Sequence, residues 1–475
     1  MKKIRWWDHL TINAYWLGLN VISGSLTPLI LPLLVEHFVG AEVKNTYYGL
    51  LRSAGLLVAI LIQPLGGLLS DRNTSRFGRR RPYIFSGVMM TLVCLAGVAA
   101  APGYWWLFGI ILVQQVASNI AHGALQGLIP DLVPESQRGI SSGVKTILEI
   151  PIPTIFVGLV VARIVSPTNV WPAILVVMGM VFVTMLITML SPERPLSDKE
   201  RPTESLREPV TRLVLLTLIF GGVTLVFGGS VAAVGNLLAG QGLVQLLAVG
   251  LAGLVAMAAS IIVGVWFSAQ VGIGPAVRRN PSFTWWVVNR LLFLAAVGSI
   301  QGFALYFLQD VVKVPNAADT TGTMMMAVGI FILVAGLGSG FLADRIGERL
   351  LVALAGLLAA GGVAVLFQGS VLMVYVGGAI IGIGTGLFFT TNWALGTKLV
   401  PPEKAGLYLG VSNLAGAGAG VVGAGIGGPL ADFFNQASPG LGYLAIFAMY
   451  GAIFVLSTLT LLRVRVPVSE GLIRE

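Results

Sequence analysis

Charge is what this sequence has least of. Only 10% of its 475 residues are Asp, Glu, Lys or Arg, whereas 56% are hydrophobic and the mean hydropathy is +0.89. A soluble domain is about a quarter charged, so this chain cannot coat a water-facing surface of its size and is expected in a lipid bilayer. Cysteine is nearly missing too. Cys94 stands alone in an apolar run, which excludes a disulfide framework and a cysteine metal site. The three histidines are scattered, and one histidine in a polar stripe makes no metal site, so neither metal nor cofactor is expected. There is no H-E-x-x-H, no nucleophile elbow and no paired-carboxylate arrangement, and an enzyme is not expected. The glycine-dense runs Gly410 to Gly428 and Gly382 to Gly386 have no strand before them, so they read as close helix packing and not as phosphate loops. The net charge of +9 does not point to nucleic acid, because the Lys and Arg gather at ends and loops that a single topology places on one side.

What is present is apolar length. A bilayer core takes about 20 apolar residues per helix, and fourteen such runs follow one another from 10–34 to 441–462. The first is too long for a signal-peptide core and is expected to remain as a helix. An even number of crossings puts both termini on one side, and the positive-inside rule makes that side the cytoplasm. The expectation is a monomeric multi-pass protein of a bacterial or archaeal inner membrane.

The most charged loop follows the second run: Gly66-Gly67-Leu68-Leu69-Ser70-Asp71-Arg72, then Arg76-Phe77-Gly78-Arg79-Arg80-Arg81-Pro82. Five arginines cannot cross a bilayer cheaply, so the loop is cytoplasmic. Asp71 can pair with one of them, and Gly78 permits a tight reversal. A polar, proline-rich stretch over 191–211 reads as a second cytoplasmic loop and a domain boundary. An internal repeat supports that boundary. Asp344-Arg345 restates Asp71-Arg72 273 residues on, and Lys398 to Gly406 restates Asp131 to Gly139 267 residues on. The expected organisation is an all-α membrane protein: a six-helix bundle over 1–190, the 191–211 linker, two inserted helices over 212–282, and a second six-helix bundle over 283–475.

The order of Asp71, Arg72, Arg76, Gly78 and the arginine triplet resembles the loop between helices 2 and 3 of the major facilitator superfamily. In its fuller form, through Pro82, it looks like the loop of the sucrose:proton and glycoside-pentoside-hexuronide carriers. The run Asn119, Gly123, Gln126, Leu128-Ile129-Pro130-Asp131-Leu132 is similar to the end of helix 4 in bacterial sugar symporters. The resemblance implies transport by alternating access, a solute site between two rocking halves, and a gating role for Asp71, Arg72, Arg76, Gly78, Arg79, Asp344 and Arg345. The sequence departs from those relatives at four places. Ala59 and Gln63 stand where sodium-using members have an acidic pair, and Gln115 and Gln126 stand where plant sucrose carriers have an acid and an arginine. The bland reading of the loop, a solvated charge cluster that only sets topology, stays open.

Within the helices, Gln115, Asn119, His122 and Gln126 recur at i, i+4, i+7 and i+11 and share one face. A polar face is costly in hydrocarbon unless it meets a bundle interior or a wet cavity, so it lines a solute path or makes interhelical hydrogen bonds. The repeat projects that face onto Gly382, Gly386, Phe389 and Trp393, giving one polar and one aromatic wall, which suits the hydroxyls and C–H faces of a sugar. Arg290 and Gln301 share a face of the ninth run and either line the cavity or, for Arg290, snorkel. Glu149 lies about 15 Å into its helix, next to Lys145 at i, i+4 spacing. The pair is either static or a site where a proton is loaded and released. Together these read as a secondary carrier of a small polar solute, a di- or oligosaccharide, coupled to protons. A facilitator or exporter of another amphipathic solute, or a non-transporting scaffold or receptor, is the alternative.

Overall fold

The computed structural model describes residues 4–193, 195, 205–400 and 405–465. Among these, fourteen helices are long and apolar enough to cross a membrane. The first seven are α1 (Trp6–Val39), α2 (Lys44–Ser70), α3 (Arg81–Ala99), α4 (Tyr104–Leu132), α5 (Glu135–Ile164), α6 (Trp171–Thr188) and α7 (Arg207–Leu237). The others are α8 (Leu243–Ile273), α9 (Pro281–Val312), α10 (Ala317–Ala343), α11 (Glu348–Leu366), α12 (Val371–Leu399), α13 (Gly416–Ala437) and α14 (Leu441–Arg463). They correspond one to one with the apolar runs of the sequence, because a chain in hydrocarbon must satisfy its peptide groups within each helix. Residues 194 and 196–204 of the expected linker lie outside the described residues, as do 401–404 and 466–475 of the expected second bundle.

The chain forms two compact units. One comprises 1–217 with 302–329, the other 218–301 with 330–475. In the first unit α2 and α4 cross at glycine. A side chain on Gly123 would strike the backbone of Gln63 and Gly67, and one on Gly66 would strike Ile120. The first half of α10 meets α5 in the same way, through Gly158 and Gly322. In the second unit Gly386 of α12 sits against Ile332 and Gly336 of α10, and Gly362 of α11 against Gly377 of α12. Lipid supplies no hydrophobic drive to join helices, so close van der Waals approach through small residues does that work.

From Leu218 on, α7 and α8, the two helices expected as insertions, belong to the second unit. Gly253 of α8 receives Leu430 of α13, and the buried Phe220 ring of α7 lies against Gly264 and Gly418. Their other faces carry exposed Leu225, Val226, Leu247 and Leu251, as suits helices bathed in lipid.

One charge of the first unit is buried almost completely. Lys44, 1% exposed, opens α2 and pairs with Glu36 of α1 at 2.8 Å and with Asp310 of α9 at 2.9 Å. Its ammonium also lies over the Tyr306 ring at 4.6 Å. The contacts around it follow from a local irregularity. A π turn over Leu26–Ile30 sends the Leu31 N–H to the Leu26 carbonyl, and Pro32 has no N–H. The Thr27 carbonyl therefore has no helical partner, and the Tyr48 hydroxyl donates to it at 2.8 Å. Tyr306 donates to the Pro32 carbonyl at 2.7 Å. Lys44→Met would leave two carboxylates without their cation. Because both are about a third exposed, the loss is expected at the low end of the range for a broken buried pair, about 3 kcal/mol. It reads out as a lower melting temperature in detergent, partly restored by Asp310→Asn in the same chain; unchanged melting would show the cluster to be screened.

Candidate functional site

Besides the Lys44 cluster, a polar cluster lies among the helices of each unit, and another lies in the loop before α3. In the first unit the stripe of α4 centres on His122. Its Nε2 is 3.4 Å from the side-chain nitrogen of Gln63 on α2 and 3.3 Å from that of Gln126. Both amides thus lie within hydrogen-bonding reach of the same ring nitrogen. The edge of the ring meets Trp16 of α1 at 5.2 Å between centroids. The other face of the cluster comes from α5: Lys145 lies over Trp16 at 4.0 Å and pairs with Glu149 at 3.1 Å. Asn119 turns back along its own helix and donates to the Gln115 side chain at 2.9 Å, while Gln115 fills the gap left by Gly55 on α2. Four helices thus bring His122, Gln126, Gln63, Trp16, Lys145 and Glu149 together.

α5 is broken where this cluster needs it. The helix over Arg138–Glu149 stops at Ile150, Pro151 starts the next segment, and a π turn follows at Val157–Val161. Pro151 and Pro153 cannot donate backbone hydrogen bonds, so the chain bends beside Glu149. By sequence depth Glu149 stands out as the deepest carboxylate, but depth and burial part company. Asp432, in the last two turns of α13, is 4% exposed against 31% for Glu149. What sets Glu149 apart in the structure is its contact with Lys145.

In the second unit the cluster is built on Arg290. Its guanidinium packs against the rings of Trp393 at 5.0 Å and Trp286 at 6.0 Å, and its Nη1 donates to the Asn392 side chain at 3.3 Å. Asn392 is fixed in turn. It donates to Asn289 at 2.8 Å, Asn289 donates to the Ser457 hydroxyl at 2.9 Å and carbonyl at 2.8 Å, and Trp286 donates to the Asn392 carbonyl at 2.9 Å. Beneath this network Phe293 and Phe388 stack at 3.7 Å. Phe389 is 39% exposed and Phe388 is buried. Gln301, three turns from Arg290, is exposed and makes no hydrogen bond among the described residues.

The loop before α3 is organised around Arg80, a residue the sequence pattern does not distinguish from its neighbours. Arg80 is nearly buried and bridges Asp71 of the loop and Asp131 of α4, the latter at 2.9 Å. It also donates to the Ser70 hydroxyl at 2.8 Å. Arg79 binds the same two carboxylates at 3.1 and 2.8 Å. Arg76 stacks on Phe77, and Arg72 has no ion pair among the described residues. Gly78 turns the backbone at φ +109°, which favours glycine. It also leaves room for Glu193, which accepts the amides of Arg80 at 2.6 Å and Arg81 at 3.0 Å. Glu193 therefore caps α3 from the stretch read as a linker, a carboxylate at the positive end of a helix. Burial pushes its pKa up, opposed by those amides and arginines. In the second unit the Asp344 side chain lies outside the described residues and Arg345 is exposed; the ion pair at that end joins Lys398 to Glu348 at 2.5 Å. Arg80→Met is expected to cost about 2 kcal/mol, because Asp71 and Asp131 lose their buried partner but keep Arg79, whereas Arg72→Met is expected to cost less than about 0.5 kcal/mol. Thermal melts of the two variants side by side check this, and equal melts would mean that Arg80 is no more than one surface charge among several.

The chain matches the model of the Major Facilitator Superfamily over residues 16–311 and 291–474. Among curated proteins it is 31% identical over 147 residues to the multi-drug resistance efflux pump PmrA of Streptococcus pneumoniae, covering 30% of this chain and 35% of that one. It is 28% identical over 124 residues to the sucrose transport protein SUC4 of Arabidopsis thaliana, 23% of this chain and 24% of the other. It is 38% identical over 112 residues to the general alpha-glucoside permease of Schizosaccharomyces pombe, 20% of each chain. The matched stretches span about a third or less of the length of these relatives. Among solved structures it is similar to a variant of the nucleoside transporter NupG, with a TM-score of 0.68 at 13% identity, covering 96% of this chain and 99% of that one. It is also similar to an auto-inhibited POT family peptide transporter, with a TM-score of 0.66 at 13% identity over 98% of each. With fourteen spans, a glycine-crossed helical fold and a family match along nearly its whole length, the chain belongs to the Major Facilitator Superfamily of membrane transporters.

Proposed function

We propose that this chain is a secondary transporter that takes a small polar solute, a di- or oligosaccharide, across a bacterial or archaeal inner membrane by alternating access, in symport with protons. The observation that carries this reading is the cluster of His122, Gln63, Gln126, Trp16, Lys145 and Glu149. Polar groups in hydrocarbon face a wet interior and mark a solute or ion path, and this set combines amide hydrogen-bonding groups with a flat indole face. The Trp393 and Phe389 surface with Arg290, and the partial similarity to SUC4 and the alpha-glucoside permease, support a sugar.

In this reading the pair of Lys145 and Glu149 handles the proton. Both residues stand on the segment of α5 that ends just before the break at Ile150, so they move as one unit when the helix bends there. Asp71, Arg79 and Arg80, with Gly78 setting the turn, act as a cytoplasmic latch, and Arg72 and Arg76 serve topology. The chain acts as a monomer with both termini in the cytoplasm. Its organisation is a six-helix half over 1–190, the two inserted helices over 212–282 and a second half over 283–475.

Export of an amphipathic solute is the second reading, and the similarity to PmrA favours it. Direction of flux separates the two. In proteoliposomes with an imposed pH gradient, the purified protein is expected to accumulate labelled disaccharide on the side toward which protons flow; accumulation against that direction would establish an antiporter. Glu149→Gln is expected to abolish uphill accumulation while sparing sugar exchange. Gln126→Ala and Trp393→Ala are each expected to weaken sugar binding about tenfold, the effect of losing one good hydrogen bond or one stacking face. Full affinity in both variants, measured by calorimetry, would remove the sugar site from these clusters.

A further inference from the structure

The two buried cations among the described residues, Lys44 and Arg80, have their counter-ions inside the protein. Lys44 has Glu36 and Asp310, and Arg80 has Asp71 and Asp131. Arg290 has none. No Asp or Glu among the described residues comes within ion-pair distance of it, although it sits well inside α9. What surrounds the guanidinium is two tryptophan faces and one amide oxygen. Those rings fix the plane of the group and favour a cation, but they supply no charge to cancel it.

The hydrogen bonds tell the same story. A guanidinium has five N–H donors, and among the described residues the protein engages it through Nη1 alone. The Nε is buried with no partner. Asn392, the one acceptor, is held by Asn289 and Trp286 and cannot follow the guanidinium elsewhere. Arg290 is half-buried, and a charge partly withdrawn from water with its Nε shut off is costly unless it is paired. A protein that only needed a spacer here would gain by replacing it with a neutral residue.

From this we infer that the transported solute carries an acidic group, and that Arg290 is the residue that receives it. The fork of a guanidinium matches a carboxylate in two parallel hydrogen bonds, with Trp393 and Phe389 alongside to pack against the carbon skeleton. The substrate class is then a carboxylate-bearing organic solute, in the first instance an acidic sugar. This rests on the transporter reading above, and it narrows the sugar proposal from neutral to acidic glycosides.

The test uses the purified full-length protein and pairs of ligands that differ only in charge: lactobionic acid and its amide, glucuronic acid and its amide, and, as a pair without a sugar, phenylbutyric acid and its amide. Lactose serves as a neutral sugar. Binding is read by calorimetry for the native protein, Arg290→Gln and Arg290→Lys. At least one acid is expected to bind about tenfold or more tighter than its amide, with the preference lost in Arg290→Gln and partly kept in Arg290→Lys. Ligand-free Arg290→Gln is expected to melt no lower than the native protein, since it removes an uncompensated charge. The inference is overturned if no acid is preferred, if the preference survives in Arg290→Gln, or if that variant melts well below the native protein before ligand is added. Binding of lactose without any acid preference would keep the sugar proposal and sink this one. Preference confined to the phenylbutyric pair would do the reverse.

Discussion

Hydrocarbon solvates neither a peptide group nor a charge, and the rest of this molecule follows from that. Each span must close its own backbone hydrogen bonds, so each is a helix. Each helix must then find neighbours without the drive that water provides, so the crossings are made where glycine lets backbones touch: Gly66 and Gly123 in one unit, Gly336 and Gly386 in the other. Each charge left among them must be answered locally. Lys44, Arg80 and Lys145 are answered by carboxylates of the protein.

The same rule sorts the polar side chains by purpose. Asn289, Asn392 and Ser457 satisfy one another and hold α9, α12 and α14 in place. Asn13 does the equivalent in the first unit, donating to the Ser141 hydroxyl at 2.9 Å and so tying α1 to α5. These are structural bonds among buried side chains. Gln126 and Phe389 differ from them because they remain exposed within otherwise apolar helices. A transporter needs both kinds: a frame whose polar groups are spent on itself, and a surface whose groups are left over for the solute.

Much of this was legible in the sequence, because the signals involved are local. Twenty apolar residues in a row specify a span whatever surrounds them. A glycine beside a run of arginines specifies a turn. The periodic stripe from Gln115 to Gln126 specifies a face. Pairings across distance were not legible. Arg79, Arg80 and Arg81 are the same residue type in a row; Arg79 and Arg80 both reach Asp131, and Arg80 is the one that also reaches the Gly67 carbonyl and the Ser70 hydroxyl at the end of α2. Lys44 looks like any charge at a helix start until Asp310 arrives from α9. Gln63 and Trp16 come from helices whose patterns are otherwise apolar, and nothing in their own neighbourhoods points to His122. Glu193 lies in a proline-rich stretch that reads as loop, where a cap for a distant helix leaves no periodic trace.

The π turns at Leu26–Ile30, Val157–Val161 and Leu308–Val312 have one further consequence. Each holds about one residue more than an α turn would over the same stretch. Rewinding such a turn to α geometry rotates everything beyond it by about 100° and moves it along the axis by about 1.5 Å, without breaking the helix or exposing its backbone to lipid. Glu36 lies just beyond the first of these turns and Asp310 within the third, so both acidic partners of Lys44 hang on stored slack of this kind. A screw of one residue in either helix carries its carboxylate around to another face. The ion cluster and the helix winding are thus geared together, and neither can turn without the other registering it.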